Sequence, residues 1–415
     1  NTVGTGFVFV AGNGQSGATA DFEFNFGQKP WKFAPPKGFQ STNLANLNRP
    51  VVVRPDKYFN AVTYTGNDSD DRDITGVGFQ PDFLWIKNRE GADWHMLQDA
   101  VRGANKVMYS NTADAESTNN TNGHVNSFLR DGFNITAGDS GNVNENNEDY
   151  VAWCWKAGGN KNTFNVDDTG FSTFAATGVT AGTITPTACS IGTRQGFSII
   201  AYTGNGTANS TLPHGLSKSP SLVIIKNRDS GSYGWAVLHT SQGLTGTTVD
   251  GQAEYYMMRL NTLDDRDNWS QDTIWGPTTT TIKIDQLGGA SWVNANTSKY
   301  VAYIWAEVEG FSKFGSYTGN GSTTGDFVYT GFRPAYVMTK AVDRDAHWYI
   351  WDSTRSPYNQ VQKVVWANLP GVEEDNTAYG IDFLANGFKI RNSQADTNTD
   401  SSISIFMAFA ESPLN

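Results

Sequence analysis

One short run of residues occurs three times in this chain, and that recurrence constrains the fold more than any bulk property does. Ala61-Val62-Thr63-Tyr64-Thr65-Gly66-Asn67 returns at residues 199–206 and again at 314–321, each time through Tyr-Thr-Gly-Asn. Each copy leads into an apolar run that closes on a lysine, at Lys87, Lys226 and Lys340. A tryptophan run follows, at Trp94, Trp235 and Trp348, and an alternating aromatic strand ends each copy. The inward positions of those last strands align as Val151, Trp153, Trp155, then Val301, Tyr303, Trp305, then Ile405, Met407, Phe409. A unit of roughly 100 residues is too long for a solenoid repeat and holds enough strands to close a core, which predicts tandem β domains.

Composition agrees with that class. The 415 residues include 43 Gly and 13% aromatics, with little sign of helical spacing, as in a loop-rich all-β protein. The predicted architecture is a row of two-layer β-sandwiches of jelly-roll type. Its parts are residues 1–55 (closing strands of an upstream sandwich plus a linker), 56–196 (repeat 1 with an extra hairpin), 197–310 (repeat 2) and 311–415 (repeat 3). Charged residues are 17% and the formal charge is −11, which argues against nucleic acid and anionic membranes as partners. No run reaches the ~20 apolar residues of a membrane helix. Cys154 and Cys189 form one pair at most, and Cys154 reads as a buried free thiol on the face opposite Trp153 and Trp155.

The first 50 residues differ from the rest. Gly6-Phe7-Val8-Phe9-Val10 and Asp21-Phe22-Glu23-Phe24-Asn25-Phe26-Gly27 alternate with period two and read as strands, too few for a domain of their own. They are expected to complete a sheet lying upstream or in another chain, and the start at Asn1 suggests a fragment or processed product. Residues 160–195 are too long for a bare connection and read as a hairpin packed on the first repeat through Phe164, Phe171 and Phe174. The near-absence of a linker at Glu309-Gly310-Phe311 suggests repeats fixed in a rod, with residues 343–347 and 366–375 at its distal end.

Asn25-Phe26-Gly27-Gln28-Lys29-Pro30-Trp31, with Pro35-Pro36-Lys37-Gly38-Phe39 and Asn43-Leu44-Ala45-Asn46-Leu47, resembles the closing segment of a SPRY-like, concanavalin A-like sandwich found in large phage virion proteins. The three repeats resemble the module that accompanies it in tail and fibre proteins of marine tailed phages, particularly cyanophages. The carrying residues are Tyr64-Thr65-Gly66-Asn67, the run from Pro81 to Arg89, Asp99-Ala100-Val101-Arg102-Gly103, Asp131-Gly132-Phe133 and the strand from Tyr150 to Trp155. The resemblance implies a virion protein at the particle surface, touching other virion proteins and associating as a homotrimer in the habit of phage fibres.

Candidate chemistry is sparse. Asp68, Asp70, Asp71 and Asp73 place four carboxylates in six residues, enough oxygen for Ca²⁺ but without EF-hand spacing, so a solvated turn competes with a cation site. No other cofactor is expected. Glu373-Glu374-Asp375 reads as a solvated loop. Asp99 and Arg102 recur as Asp352 and Arg355 but become His239 and Gln242 in the second repeat, which favours an ion pair or turn clamp over catalysis. The five histidines show no metal spacing, and no hydrolase, zincin or phosphate-loop motif occurs. A non-enzymatic adhesin is therefore expected, with Trp269, Trp275, Trp292, Trp351, Tyr358 and Trp366 as loop aromatics for stacking on a host glycan; gap-filling between repeats is the alternative use of each. A polysaccharide-cleaving tailspike and a purely architectural decoration protein are the competing functions.

Overall fold

The structure, a computed structural model, describes residues 50–118, 121–138, 141–249, 252–266, 276–284 and 292–411. The expected strands before residue 28 lie outside them. Residues from Val51 onward form one compact unit, and it is all-β: among the described residues the α-helix is a single turn, Ala395–Asn398.

The first repeat runs β1 (Phe59–Thr65), β2 (Arg72–Thr75), β3 (Phe83–Asn88), β4 (Met96–Asp99), β5 (Met108–Tyr109), β6 (Val125–Leu129), β7 (Gly132–Ile135) and β8 (Asp149–Trp155). A connecting segment adds β9 (Phe164–Val166), β10 (Thr169–Phe171) and β11 (Ala188–Gly192). The second repeat holds β12 (Phe197–Thr203), β13 (Ser210–Pro213), β14 (Leu222–Asn227), β15 (Trp235–His239), β16 (Leu244–Val249), β17 (Gln252–Tyr255), β18 (Met258–Arg259), β19 (Thr281–Ile284) and β20 (Lys299–Trp305). The third holds β21 (Ser312–Thr318), β22 (Phe327–Tyr329), β23 (Pro334–Ala341), β24 (Tyr349–Asp352), β25 (Lys363–Trp366), β26 (Glu374–Asp375), β27 (Ile381–Leu384), β28 (Gly387–Ile390) and β29 (Ile403–Ala410).

Each repeat is a two-layer sandwich. In the first, a five-stranded sheet of order β1-β8-β3-β4-β5 is backed by the three strands β2-β7-β6. The aromatic strand is central: β8 pairs antiparallel with both β1 and β3, as β20 does with β12 and β14, and β29 with β21 and β23. Because side chains alternate across a strand, each aromatic strand serves two cores. Tyr150, Ala152 and Cys154 meet Ile74, Phe133 and Ile135 between the two layers of the first repeat, and Cys154 is the buried free thiol expected. Trp153 and Trp155 turn the other way.

That other face overturns the expected rod. Trp153, Trp155, Tyr303, Trp305, Met407 and Phe409 belong to one cluster drawn from all three repeats. Each sandwich thus has an outer core of its own and gives the second face of its large sheet to a shared centre. The two segments placed at a distal end are at junctions instead. Ala346 N donates to Leu263 O of the second repeat at 2.9 Å, and the Ser110 hydroxyl of the first repeat donates to Ala367 O at 2.6 Å.

The connecting segment is also corrected. β11 pairs with β12, and β9 with β11, so the hairpin extends the sheet of the second repeat rather than the first. Phe164 and Phe174 pack accordingly in the second repeat's outer core.

The glycines of the Tyr-Thr-Gly-Asn signature, Gly66, Gly204 and Gly319, do not take positive φ; they are set by close backbone packing. A Cβ on Gly66, Gly204 or Gly319 would lie 1.9, 2.2 and 2.2 Å from a backbone oxygen of the loop entering the last strand. Close approach therefore demands the glycine. The tyrosines bond the same loop: Tyr64, Tyr202 and Tyr317 donate their hydroxyls to Val143 O, Val293 O and Thr397 O at 2.8, 2.7 and 2.8 Å.

Candidate functional site

Buried polar groups concentrate where the repeats meet. At the end of β4, Asp99 accepts the backbone N–H groups of Val101 and Arg102 at 3.0 and 2.8 Å, and also the Arg102 Nε. The second repeat's Tyr303 donates its hydroxyl to Asp99 Oδ2 at 2.7 Å. Arg102 passes on to Glu116 at 3.2 Å, and Glu116 accepts both arms of Arg228 from the second repeat at 2.8 and 2.9 Å. A bidentate pair of this kind fixes orientation as well as distance.

The junction of the third repeat with the first repeats this pattern. Asp352 accepts Arg355 N at 2.8 Å and Arg355 Nε at 2.5 Å, while Trp153 Nε1 supplies the third bond at 3.0 Å. Arg355 donates to Glu373 at 3.0 Å, and Arg89 of the first repeat grips Glu373 with two bonds of 2.9 Å. Glu373 is thus a buried ion-pair partner, not part of a solvated loop; Glu374 and Asp375 are exposed as expected. Burial alone would raise the pKa values of Glu116 and Glu373, but the arginine bonds and charges outweigh it and hold both below the usual range.

At the junction of the second and third repeats every member of this set changes together. Backbone pairing defines the equivalences: Glu116 N bonds Arg228 O, Glu373 N bonds Arg89 O, and Arg266 N bonds Val342 O. So Arg266 stands for the glutamate, Val342 for the second arginine, His239 for the aspartate, Gln242 for its arginine, and Met407 for the donor Trp153 or Tyr303. His239 is fully buried and its pKa is lowered to about 4 by that burial. The neutral ring donates from Nε2 to Phe406 O at 3.0 Å and accepts Ser241 N at Nδ1 at 3.1 Å. With no carboxylate present, no indole or phenol donor is required, and a thioether fills the space. The Asp–Arg pair is therefore a turn clamp that also joins repeats.

The three signature lysines are buried and hold loops. Lys226 donates to Asn227 O, Ser230 O and Tyr233 O at 2.8, 3.1 and 2.9 Å, while Lys340 reaches Leu263 O of the second repeat at 2.9 Å. Burial lowers each of Lys87, Lys226 and Lys340 to about 8. The tryptophan alignment shifts by one residue in the first repeat: His95 takes the position of Trp235 and Trp348, and Trp94 is 40% exposed. Trp235 Nε1 donates to Tyr109 O and Trp348 Nε1 to Arg259 O, at 2.8 and 2.9 Å, again across junctions.

The sequence-level site residues do not converge. Asp70 accepts Ala137 N at 3.0 Å and Asp73 accepts Asn134 Nδ2 at 2.7 Å. Among the described residues, the acids whose oxygens lie within 4.8 Å of one another are Asp93, Glu145 and Glu148, and Asp68, Asp70, Asp71 and Asp73 are not among them. Asn88 Nδ2 donates into that group, to Asp93 at 2.7 Å and to Glu148. Burial, with the neighbouring Glu148 charge, raises the pKa of Asp93, and the Glu148 charge raises that of Glu145. These three could hold a cation. Their spacing along the chain carries no motif, so only folding reveals the group.

Trp351 is corrected outright: it lies on β24, fully buried, with Nε1 donating to Tyr379 O at 2.9 Å. Trp366 is half-buried against Tyr349 and Tyr379, and Trp292 is half-buried beneath the Arg259 guanidinium. Tyr358 is 82% exposed. Trp269 and Trp275 lie outside the described residues.

The fold and its junctions define an all-β body of three sandwiches joined head to tail, with buried Asp–Arg clamps at two of the three junctions. Residues 54–413 match the family described as Domain of unknown function (DUF7483), and the chain belongs to that family. The match spans all three repeats as one domain. No curated protein matches the chain.

Proposed function

We propose that the protein is a structural and adhesive part of a phage virion, a tail fibre or surface appendage, whose rigid body displays loops toward a host-surface glycan. The observation that carries this reading is the use of the buried polar chemistry. Asp99, Arg102, Glu116, Asp352, Arg355 and Glu373 are spent on joining repeats. A body so held keeps its shape without disulfides and leaves recognition to exposed loops, Tyr358 among them. The phage assignment itself is supported by the sequence resemblance. Association of three copies, in the habit of phage fibres, is part of the same proposal.

The test is binding of the purified chain to host cells and to a glycan array, with a reducing-end assay run alongside. Saturable binding without sugar release supports an adhesin. Release of reducing ends would replace it with a depolymerase, and no binding at all with a purely architectural role.

A further inference from the structure

The third repeat departs from the other two at the gap between the first strand of its large sheet and the first strand of its small sheet. In the first repeat side chains close the gap between β1 and β2: Arg72 lies over the Tyr64 ring and donates to Thr65 O at 2.6 Å, and Asn60 Nδ2 donates to Val77 O at 3.1 Å. In the second, β11 pairs with β12 over residues 197–201, and Ile184 N donates to Thr211 O of β13 at 3.0 Å. Between β21 and β22 of the third lies an open cleft of about 360 Å³.

Backbone pairing is not what this cleft offers. Ser312 N is bonded to Val308 O at 2.8 Å and Phe314 N to the Glu307 carboxylate at 3.5 Å, both from the segment just before β21. Side chains line it instead. By strand register Gly315 takes the place of Val62 and Ile200, and Phe406 that of Ala152 and Ala302. The Phe406 ring, 2.8 Å from where a Cβ of Gly315 would stand, gives the cleft an apolar floor. One wall is Phe327 and Tyr329, which alternate with the buried Val328 and so share a face. They are 44% and 62% exposed. Where these two aromatics pair with the Gly-Phe hairpin strand, the first repeat has Asp73 and Thr75 and the second has Thr211 and Pro213. Each ring leans on a glycine: a Cβ on Gly387 would lie 2.8 Å from Phe327 Cζ, and one on Gly331 would lie 3.7 Å from Tyr329 Cζ. The rings are thus set before any ligand arrives. Across the cleft stand the exposed Ser316 and Thr318 of β21. Beside Phe327, the exposed Asp326 carboxylate accepts Asn320 Nδ2 at 3.2 Å and has lone pairs to spare. Lys313 is already paired with Glu307 at 2.8 Å.

We infer that this cleft binds a neutral hexopyranose unit of a glycan. The inference rests on the adhesin reading above and names its site, away from Trp292, Trp366 and Tyr358. The C–H face of the sugar stacks on Tyr329 and Phe327, its hydroxyls donate to Asp326, and Ser316 and Thr318 bond it from the opposite wall. The volume lies at the low end of the roughly 300–1,000 Å³ of small-ligand pockets, which suits one or two rings. An anionic sugar would meet Asp326 and a chain of net charge −11.

The probes are the methyl α- and β-pyranosides of glucose, galactose and mannose, titrated onto the full chain and followed by saturation-transfer NMR. At least one is expected to bind saturably, with transfer strongest at the C–H protons of one sugar face, and to lose at least about tenfold in affinity in Phe327→Ala/Tyr329→Ala. Both rings are exposed, and an unchanged unfolding midpoint separates lost binding from lost fold. Asp326→Asn is expected to weaken binding by about tenfold as well, whereas Tyr358→Ala leaves it unaltered. Slowed hydrogen exchange at residues 315–318 and 326–329 of the native chain locates the sugar without any variant. Pyranosides that bind the double variant as well as the native chain, or that protect other residues, overturn the inference and leave the adhesin reading standing, as does host-cell binding by a chain that takes none of these sugars. Failure to bind both cells and pyranosides removes the adhesin reading itself. Binding of an acidic sugar alone, strengthened by Asp326→Asn, overturns the neutral class.

Discussion

Trp153 Nε1 donates to Asp352 Oδ2 at 3.0 Å across 199 positions of sequence, and this one bond ties the first repeat to the third. Tyr303 and Asp99 make the equivalent bond between the second and the first. Each junction uses different surfaces on its two sides, and the head-to-tail series closes after three.

Trp153→Phe keeps the ring in the shared core and removes only the donor. A buried carboxylate then loses one of its partners, and stability is expected to fall by about 1.5–3 kcal/mol. Tyr303→Phe should cost a similar amount. Urea unfolding followed by near-ultraviolet dichroism measures both, and a loss below about 0.5 kcal/mol in both would remove the clamps from the list of stabilising contacts.

The third junction should reject the clamp when it is installed alone. His239→Asp/Gln242→Arg places a carboxylate opposite Met407, which has no donor, and a second cation near Arg266. Destabilisation of about 1–3 kcal/mol is expected, partly reversed by adding Met407→Tyr. A cycle of these variants that shows simple additivity would contradict the coupled replacement described above.

Because the central core is shared, the repeats should unfold together. Calorimetry of the full chain is expected to show one endotherm for residues 51–411, with calorimetric and van't Hoff enthalpies in agreement. A chain ending at Glu309 exposes Trp153, Trp155 and Trp305 and should aggregate. Three separate transitions would restore the picture of independent domains.

Asp82 supplies a pH signature. It is fully buried; burial raises its pKa from 3.8 to about 7, against the N–H groups of Ala157 and Gly159 that bond Oδ2 at 2.7 and 3.0 Å. The folded state therefore holds the proton more tightly than the unfolded one, and this group's contribution falls as pH rises from about 4 to 7, by at most ~1.4 kcal/mol per unit. Asp82→Asn removes that slope, so the stability difference between variant and native chain should shift in the variant's favour with rising pH over this window. Glu116 and Glu373 act oppositely below about 4.5, where their protonation weakens the junctions. A difference that stays flat from pH 4 to 7 would mean that Asp82 titrates normally.

Much of the fold was legible because period-two alternation reports directly which faces are buried. The aromatic strands, the lysine strands and the inward positions Trp153, Trp155, Trp305 and Phe409 all lie in the core. What alternation cannot report is what a buried face meets. Trp153 looks the same whether it packs within its own sandwich or against two others, and so the rod and the closed body were indistinguishable. Trp351 was misplaced because its run, Tyr349–Asp352, is a short fully buried strand without alternation. The junction network left one readable trace: Asp99/Arg102 and Asp352/Arg355 change jointly to His239/Gln242, as members of a single contact do. Asp93 and Glu145 left none, since the backbone alone brings them together.

The ring of Phe59, at the start of the first sandwich, stacks on that of Phe409 near the end of the third, with centroids 5.0 Å apart. The start of the first sandwich and the end of the third are therefore neighbours, and the mechanical meaning of the body changes. Tension applied at residues 59 and 409 would peel β1 and β29 apart at one seam and would never load the other two junctions in series. Loaded there, the body behaves like a pendant bead and not like a link in a tether.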